Sequence, residues 1–380
     1  MQKPLAIRLH VLSPIHIGCD DVYEPTSFVI NPDRKQLIAF DPLVFVKNLS
    51  DAEKKEFSRI SEKGTLASII EMYRFIFSKS SSIEGWSVDL AGDIVKRYLT
   101  VKGMALNERE IRQELNNFLM PRTAYNPTNN MPYIPGSSLK GSLRTGYLSM
   151  LAVGGGDQRG LKDILDGNEP TKVVERKSNA SELEKSLLKG SFDRDPFRLV
   201  KVSDLQPHKN VKTKIIYAIN QKKYNQELGK GIPQILDTIQ AGSVFEGSIS
   251  IETPIKNSNI VEPLNRYFLA AAVNKHYARV FNGEKEMARR LSFRMPAVNA
   301  LVTEIRTSTG TQPFLVRLGR HSGAEAVTIE GQRRITIRGK GGQKRISERG
   351  ATTIWLASEK AQPDSNSILT PFGWALIEIL

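Results

Sequence analysis

Cysteine is nearly absent from this 380-residue chain, which has Cys19 and no other. A single cysteine excludes a disulfide framework and a zinc site built on paired cysteines. The five histidines show no metal-ligand spacing, since His10 and His16 are six residues apart and do not fit a helical zinc pair. No apolar run reaches the roughly 18 residues that a membrane span needs. We therefore expect a cytoplasmic protein without a membrane segment, a metal or a cofactor.

Negative charge is also scarce relative to positive charge. The chain has 54 Lys and Arg against 40 Asp and Glu, a formal net charge of +14. An excess of this size favours a polyanionic partner, either a nucleic acid or an anionic membrane surface. Aromatic residues make up only 7%, and no pair typical of base-stacking RNA modules stands out. The composition thus indicates nucleic-acid binding through backbone and shape rather than base-specific readout.

The hydrophobic pattern predicts an α+β protein. Residues 5–17 alternate with period two, as in a half-buried strand, and residues 65–78 place apolar side chains on one helical face. Residues 44–120 read as a helical insertion between strand-rich segments. Gly154–Gly156 begin a polar stretch to about residue 192 without apolar periodicity, which predicts a mobile loop. The natural solution is antiparallel sheets with helices on one face.

The segment PYIPGSSLKGSLRTGYLSML (132–151) begins a helix in an unusual way. The prolines exclude a helix before Gly136, and Ser137 or Ser138 can cap it. Lys140 and Arg144 then lie near the helix N-terminus, where the helix dipole disfavours cations. A bound phosphate would remove that conflict, and the small Gly141 would let an RNA backbone approach. The plain alternative is an ordinary helix start with solvated side chains.

A second basic segment covers residues 317–349. It contains nine Lys or Arg and three Glu, a net charge of +6, and its glycines divide it into loops around short strands. Cations and close backbone approach are what phosphate contact requires. The part at 338–345 is predicted to be a hairpin tip, with a solvated hairpin as the alternative.

Three stretches resemble the RAMP superfamily of CRISPR proteins: SPIHIG (13–18), YIPGSSLKGSLR (133–144) and RLGRHSGAEAVTIEG (317–331). Together they resemble the type III-A (Csm) effector subunits that cap the complex at the 3′ end of the guide RNA. The resemblance covers essentially the whole chain, and the helical insertion is its least diagnostic part.

The resemblance implies two ferredoxin-like, RRM-related domains, at 1–252 and 253–380. It implies a non-catalytic subunit that binds CRISPR guide RNA, with target RNA and neighbouring type III-A effector subunits as further partners. The residues expected at the RNA are Gly136, Ser137, Ser138, Lys140, Gly141, Arg144, His16, Gly18, Arg317, Gly319, Arg320, His321 and Gly323.

Two other functions stay open from the residues. One is an endoribonuclease that processes CRISPR RNA, with His16 and His321 as acid and base, or with Asp20 and Asp21 at a metal-assisted site. The other is an adaptor whose basic loops dock proteins.

Overall fold

The fold consists of two main β-sheets, each covered by helices, together with two small two-stranded sheets. No helix of the described part of the chain is long and apolar enough to cross a membrane. The computed structural model describes residues 4–104, 108–169, 174–225, 227–229, 231–260, 263–338 and 342–380.

The helices differ widely in length, and the longest are α6 and α9. The α-helices of the described residues are α1 Pro42–Asn48, α2 Asp51–Glu62, α3 Leu66–Ser78, α4 Gly92–Gly103, α5 Glu108–Asn117, α6 Gly136–Val153, α7 Gln158–Leu165, α8 Ala180–Leu187, α9 Arg266–Leu291 and α10 Asn299–Thr309. Short 3-10 helices occupy Ser80–Ser82, Phe192–Arg194 and Pro196–Leu199.

The strands are mostly short. They are β1 Leu5–Val11, β2 Gly18–Val22, β3 Phe28–Asn31, β4 Gln36–Ala39, β5 Trp86–Leu90, β6 Pro121–Thr123, β7 Val200–Val202, β8 Gln206–Lys209, β9 Thr213–Lys222, β10 Gln234–Ile239, β11 Val244–Ile251, β12 Phe314–Arg317, β13 Ile335–Arg338, β14 Lys344–Ser347, β15 Thr353–Ser358, β16 Thr370–Pro371 and β17 Trp374–Ile379.

The first sheet, sheet A, is antiparallel and has the order β12-β17-β1-β11-β7, with β8 also paired to β11. In β1 the predicted alternation holds, because Ile7, Leu9 and Val11 are buried while the side chains between them are not. The buried face packs against α6 to α10 in one core. Gly146 lets α6 approach α9 closely, since a Cβ there would lie 2.9 Å from Val273 Cα.

The second sheet, sheet B, has the order β16-β15-β9-β5-β4-β3, with β10 paired to β9. The pair β5–β9 is parallel, and the other pairs are antiparallel. Its core is shared with α3, α4 and α5. A smaller aromatic cluster of Phe40, Phe45 and Phe75 joins α1 and α3 to the outside of this sheet.

The α+β prediction is confirmed, and the structure corrects three details of it. The 44–120 region is mainly helical, but it also contains β5, which lies between β4 and β9 inside sheet B. The 154–192 segment, predicted as a loop without regular structure, contains α7 and α8, whose Leu161, Leu183 and Leu187 are buried. The hydrophobic repeats of these helices are too short to be recognised in the sequence.

The third correction concerns the boundary predicted at residue 252. Sheet A combines β1, β7 and β11 with β12 and β17, and sheet B joins β9 to β15. Both sheets therefore use strands from both sides of residue 252, and the boundary does not separate them.

Candidate functional site

Two of the three glycine-containing motifs are in direct contact. The Arg320 backbone N–H donates to the His16 carbonyl over 2.8 Å. Gly319, which directly precedes Arg320, has φ +78°, and a Cβ there would lie only 2.4 Å from His16 O. Glycine is therefore required at this position both by conformation and by space. The fold thus brings together motifs that are some 300 residues apart in the sequence.

Two successive backbone hydrogen bonds connect the third motif, at 133–144, to the loop at 13–18. Ala124 N–H donates to Ile17 O over 2.7 Å, and Tyr133 N–H donates to Ala124 O over 3.1 Å. Ile134 then pairs with Leu205, directly before α6 begins. We refer to residues 13–18, 133–144 and 317–323 as the glycine-motif region.

The start of α6 differs from the prediction at its cap. Pro135 is the N-cap residue and neither serine caps the helix through its side chain. Asp204 accepts the Gly136 N–H over 2.8 Å instead, and a Cβ on Gly136 would lie 2.3 Å from Val202 O. Gly136 is therefore enclosed by protein and is not open to a phosphate. Ser137 and Gly141 are exposed and Ser138 is half-buried.

Arg144 is paired inside the protein, and its contact with phosphate stays a prediction. Its guanidinium contacts Asp195 at 2.6 Å and Glu184 at 2.8 Å, and it lies 5.3 Å from the Phe197 ring centroid. Burial opposes its charge, but Glu184 and Asp195 outweigh burial and raise the pKa of Arg144. In this conformation its charge is already neutralised.

Lys140 is in the opposite situation. It is half-buried, and within the described residues it has neither a hydrogen bond nor an ion pair. Partial burial and the positive charges of Lys201 and Arg144 lower its pKa. Of the two cations in this motif, Lys140 is the one available to an anion.

The same division holds in the 317–323 loop. Arg317 is fully buried: it forms an ion pair with Glu284, and its Nε–H donates to Phe372 O over 2.9 Å. Trp374 Nε1 donates to the same carboxylate over 3.0 Å. The charge of Arg317 is therefore neutralised inside the protein, whereas Arg320 is exposed. The contact of Arg317 with RNA stays a prediction.

The remaining cations of the basic segment also divide into two groups. Arg333 is anchored to Thr328 and to the Glu325 carbonyl, and Arg334 donates to Ser178 O. Lys344, Arg345 and Arg349 are exposed on or beside the β13–β14 hairpin. The hairpin predicted at 338–345 is confirmed by the strand pairing, although residues 339–341 lie outside the described residues. Gly323, with φ +82°, is half-buried in the preceding loop.

The two candidate catalytic histidines are held neutral. His16 is buried, and its Nδ1–H donates to Asp237 O over 2.7 Å; burial lowers its pKa. His321 packs 4.4 Å from the Trp355 ring, and burial lowers the pKa of His321 to about 3. A histidine whose pKa is lowered in this way is a poor proton donor at neutral pH. Gly18, the other residue predicted from the 13–18 motif, is exposed.

At the alternative metal-assisted site, the Asp21 carboxylate already has partners within the protein. Asp21 accepts from the Tyr125 hydroxyl over 2.5 Å and lies 3.8 Å from Arg122. Asp20, at φ +59°, precedes it in β2, where the pairing with β6 is irregular. Across the described ranges, no three His, Cys, Asp or Glu residues are grouped so that they could hold a metal ion.

The structure also adds residues that the sequence did not indicate. Lys140 and Arg144 line a cleft with a volume of about 690 Å³, together with Phe192, Arg198 and Lys201. The stretch FDRDPFRLVK (192–201) combines aromatic and basic residues, and this combination is a signal that could have indicated the cleft.

Comparison with known proteins gives consistent results. Residues 8–286 match the RAMP superfamily. A "CRISPR system Cms protein Csm5" of Methanocaldococcus jannaschii is 24% identical over 200 residues, which are 53% of this chain and 42% of that protein. The chain thus spans less than half the length of this relative.

Two solved structures share the fold. One is a chain of a cryo-EM structure of a Csm-crRNA-target RNA ternary complex in a type III-A CRISPR-Cas system, with a TM-score of 0.60, 19% identity and coverage of 99% of this chain and 100% of that chain. The other is the crystal structure of T. onnurineus Csm5, with a TM-score of 0.52, 18% identity and coverage of 98% and 100%.

Proposed function

The chain belongs to the RAMP superfamily, and from that membership we propose that it is an RNA-binding structural subunit of a type III-A CRISPR effector ribonucleoprotein. It binds the 3′ part of the guide RNA and supports guide-RNA maturation and complex assembly in the cytoplasm. Neighbouring effector subunits and target RNA are its further partners. The names of its relative and of its structural neighbours support this assignment.

The observation that carries the proposal is the meeting of the three motifs in the glycine-motif region. Arg320 N–H on His16 O and the two backbone hydrogen bonds from Ile17 to Tyr133 connect segments that are far apart in sequence. Beside these contacts lie the unpaired Lys140 and the exposed Arg320 and Gly141. Unpaired cations next to accessible backbone suit phosphate recognition, which does not depend on base sequence.

We also infer that sheet A is the sheet of a ferredoxin-like unit. The elements β1, α6, β7, β11, α9 and β17 follow the β-α-β-β-α-β order of that fold. Four of the strands are neighbours in the order β17-β1-β11-β7, and α6 and α9 share the core beneath them. The ferredoxin-like assignment of the second unit rests on the family resemblance.

RNA binding is tested by titrating the purified chain with fluorescein-labelled single-stranded RNA of mixed sequence at several salt concentrations. The Lys140→Ala/Arg320→Ala double variant should bind more weakly. The slope of log affinity against log salt should fall by roughly 0.7 for each lost phosphate contact. Lys55→Ala, an exposed lysine on α2, is the matched control and should leave both quantities unchanged.

Equal affinity and slope in the double variant would refute the proposed surface. The same RNA, analysed on a gel, separates the other functions. Defined fragments that disappear in His16→Ala would establish an endoribonuclease. Association with other subunits that survives RNase treatment, but is lost in the double variant, would establish a protein-docking adaptor.

A further inference from the structure

The cleft beside the start of α6 has an unusual combination of groups. Its walls are α6, the two 3-10 helices between 192 and 199, β7 and the connection at 252–260 that follows β11. We call it the Phe192 cleft, after the exposed aromatic residue that lines it.

The acidic residues of the cleft all have partners, but not all of its cations do. Its cations are Lys140, Arg144, Arg198 and Lys201, and its acids are Asp193, Asp195 and Glu252. Each acid already has partners: Asp195 has Arg144 and the Phe197 N–H, Asp193 has Ser191 and Asn259, and Glu252 lies 4.0 Å from Lys201.

The charged neighbours of Lys140 are the cations Lys201 and Arg144 and the carboxylate of Asp195, which is already paired with Arg144. The positive charges of Lys201 and Arg144 already act against its charged form. An anion between Lys140 and Lys201 would relieve that repulsion. The cleft is therefore built to accept a negative group at its α6 wall.

Two large apolar side chains that line the cleft are exposed. Phe192 is 75% exposed and Ile255 is 81% exposed, which is unusual for large apolar side chains that share one cleft. The Arg198 guanidinium lies 4.9 Å from the Phe192 ring centroid and donates to the Asp193 carbonyl over 3.1 Å. The ring is thus held in place on one side, which leaves its other side available for stacking.

We propose that the Phe192 cleft binds one nucleotide of single-stranded RNA, with a phosphate at Lys140 and the base stacked on Phe192. This inference rests on the proposed RNA-binding function and adds a stacking subsite to it. An aromatic platform beside cations is how proteins hold single strands without regard to sequence, and a guide RNA requires that tolerance. A peptide carrying acidic residues is the competing occupant.

The test uses the full chain and a series of single-stranded RNAs, each with one abasic position. With the wild-type chain, one abasic position should weaken binding roughly tenfold, as loss of one stacked base does. Phe192→Ala should weaken binding of intact RNA by a similar factor and make that abasic position silent. Phe192→Tyr should restore both, and the salt slope should stay unchanged in both variants.

Tyr267→Ala is the matched control. Tyr267 is 67% exposed and has Arg266 4.8 Å from its ring centroid, but it lines a different cleft. Its loss should not affect the abasic series.

If Phe192→Ala binds RNA as the wild-type chain does, the stacking subsite is refuted and the proposed function stands. If Phe192→Ala instead loses only association with other subunits, the occupant is a peptide and the proposal is also overturned. If the wild-type chain binds no RNA, the proposed function itself fails.

Discussion

The start of α6 and the 317–323 loop each carry two cations, and in each pair one is used inside the protein. Arg144 is paired with Asp195 and Glu184, and Arg317 with Glu284. Lys140 and Arg320 have no side-chain partner among the described residues. In each of these two motifs, one cation is therefore paired with acidic residues of the fold, and the other has no such partner among the described residues.

The largest expected effect is the loss of the buried arginine. Arg317→Ala removes the partner of Glu284, whose carboxylate then stays buried with only Trp374 as donor. Breaking such a pair costs about 3–5 kcal/mol of unfolding free energy, whereas the exposed Arg320→Ala should change stability by about 0.5 kcal/mol or less. Urea unfolding followed by circular dichroism measures both.

Arg317→Lys keeps the charge without the planar fork, so its loss should be intermediate and the variant remains measurable if Arg317→Ala does not fold. If Arg317→Ala is as stable as Arg320→Ala, the proposed division between the two cations is wrong.

A smaller effect is expected from His321, which ties the same loop to its core. Its pKa is about 3 in the folded state and near 6.5 in the unfolded chain. Between these values the unfolded chain binds the extra proton, so stability falls as the pH drops below 6.5. The slope is about 1.4 kcal/mol per pH unit, or roughly 2 kcal/mol by pH 5.

His321→Asn should remove that slope, because the asparagine side chain does not titrate. Asparagine also tolerates the positive φ of this position, so the loop can keep its conformation. The readout is the difference in unfolding free energy between variant and wild type at pH 7 and pH 5. The same difference at both pH values would contradict the assignment. His276, with a pKa of about 4, has the same sign and remains in both proteins. Asp237, with a pKa of about 6, has the opposite sign and also remains.

A smaller change in stability than that of His321 is expected at Gly141, and this variant separates binding from folding. A Cβ at Gly141 meets nothing within 4 Å, so Gly141→Ala should stabilise α6 by about 0.5–1 kcal/mol. If RNA passes close to this backbone, the same variant binds RNA more weakly. A more stable variant with unchanged RNA affinity would remove Gly141 from the contact surface, while leaving Lys140 in place.

Local patterns were enough to predict many elements of this fold. The alternation of β1 and the apolar face of α3 each follow from side-chain spacing within one segment. The strand β5 was missed because its five residues lie between helices, so its environment is set by β4 and β9 rather than by its neighbours in sequence.

The sequence indicated which motifs form the candidate site, but not which of their cations form ion pairs. The sequence placed Lys140, Arg144, Arg317 and Arg320 in glycine-rich motifs. It could not show that Arg144 meets Glu184 on α8, because that segment gave no helical signal. Nor could it show that Arg317 meets Glu284, because Glu284 lies 33 residues earlier in the chain, on α9. Ion pairing is a property of tertiary contacts, and it decides which cations remain free.

One feature of sheet A bears on how the protein matures. β1 is held between β11 and β17, so its register is complete only when residues 374–379 have left the ribosome. The loop at 13–18 extends from β1, and its backbone is held by Gly319 and Arg320 near the other end of the chain. Pairings of such long range form late in folding. A chain in which the last strands have not yet paired would therefore lack both the complete register of β1 and the contact between the two loops.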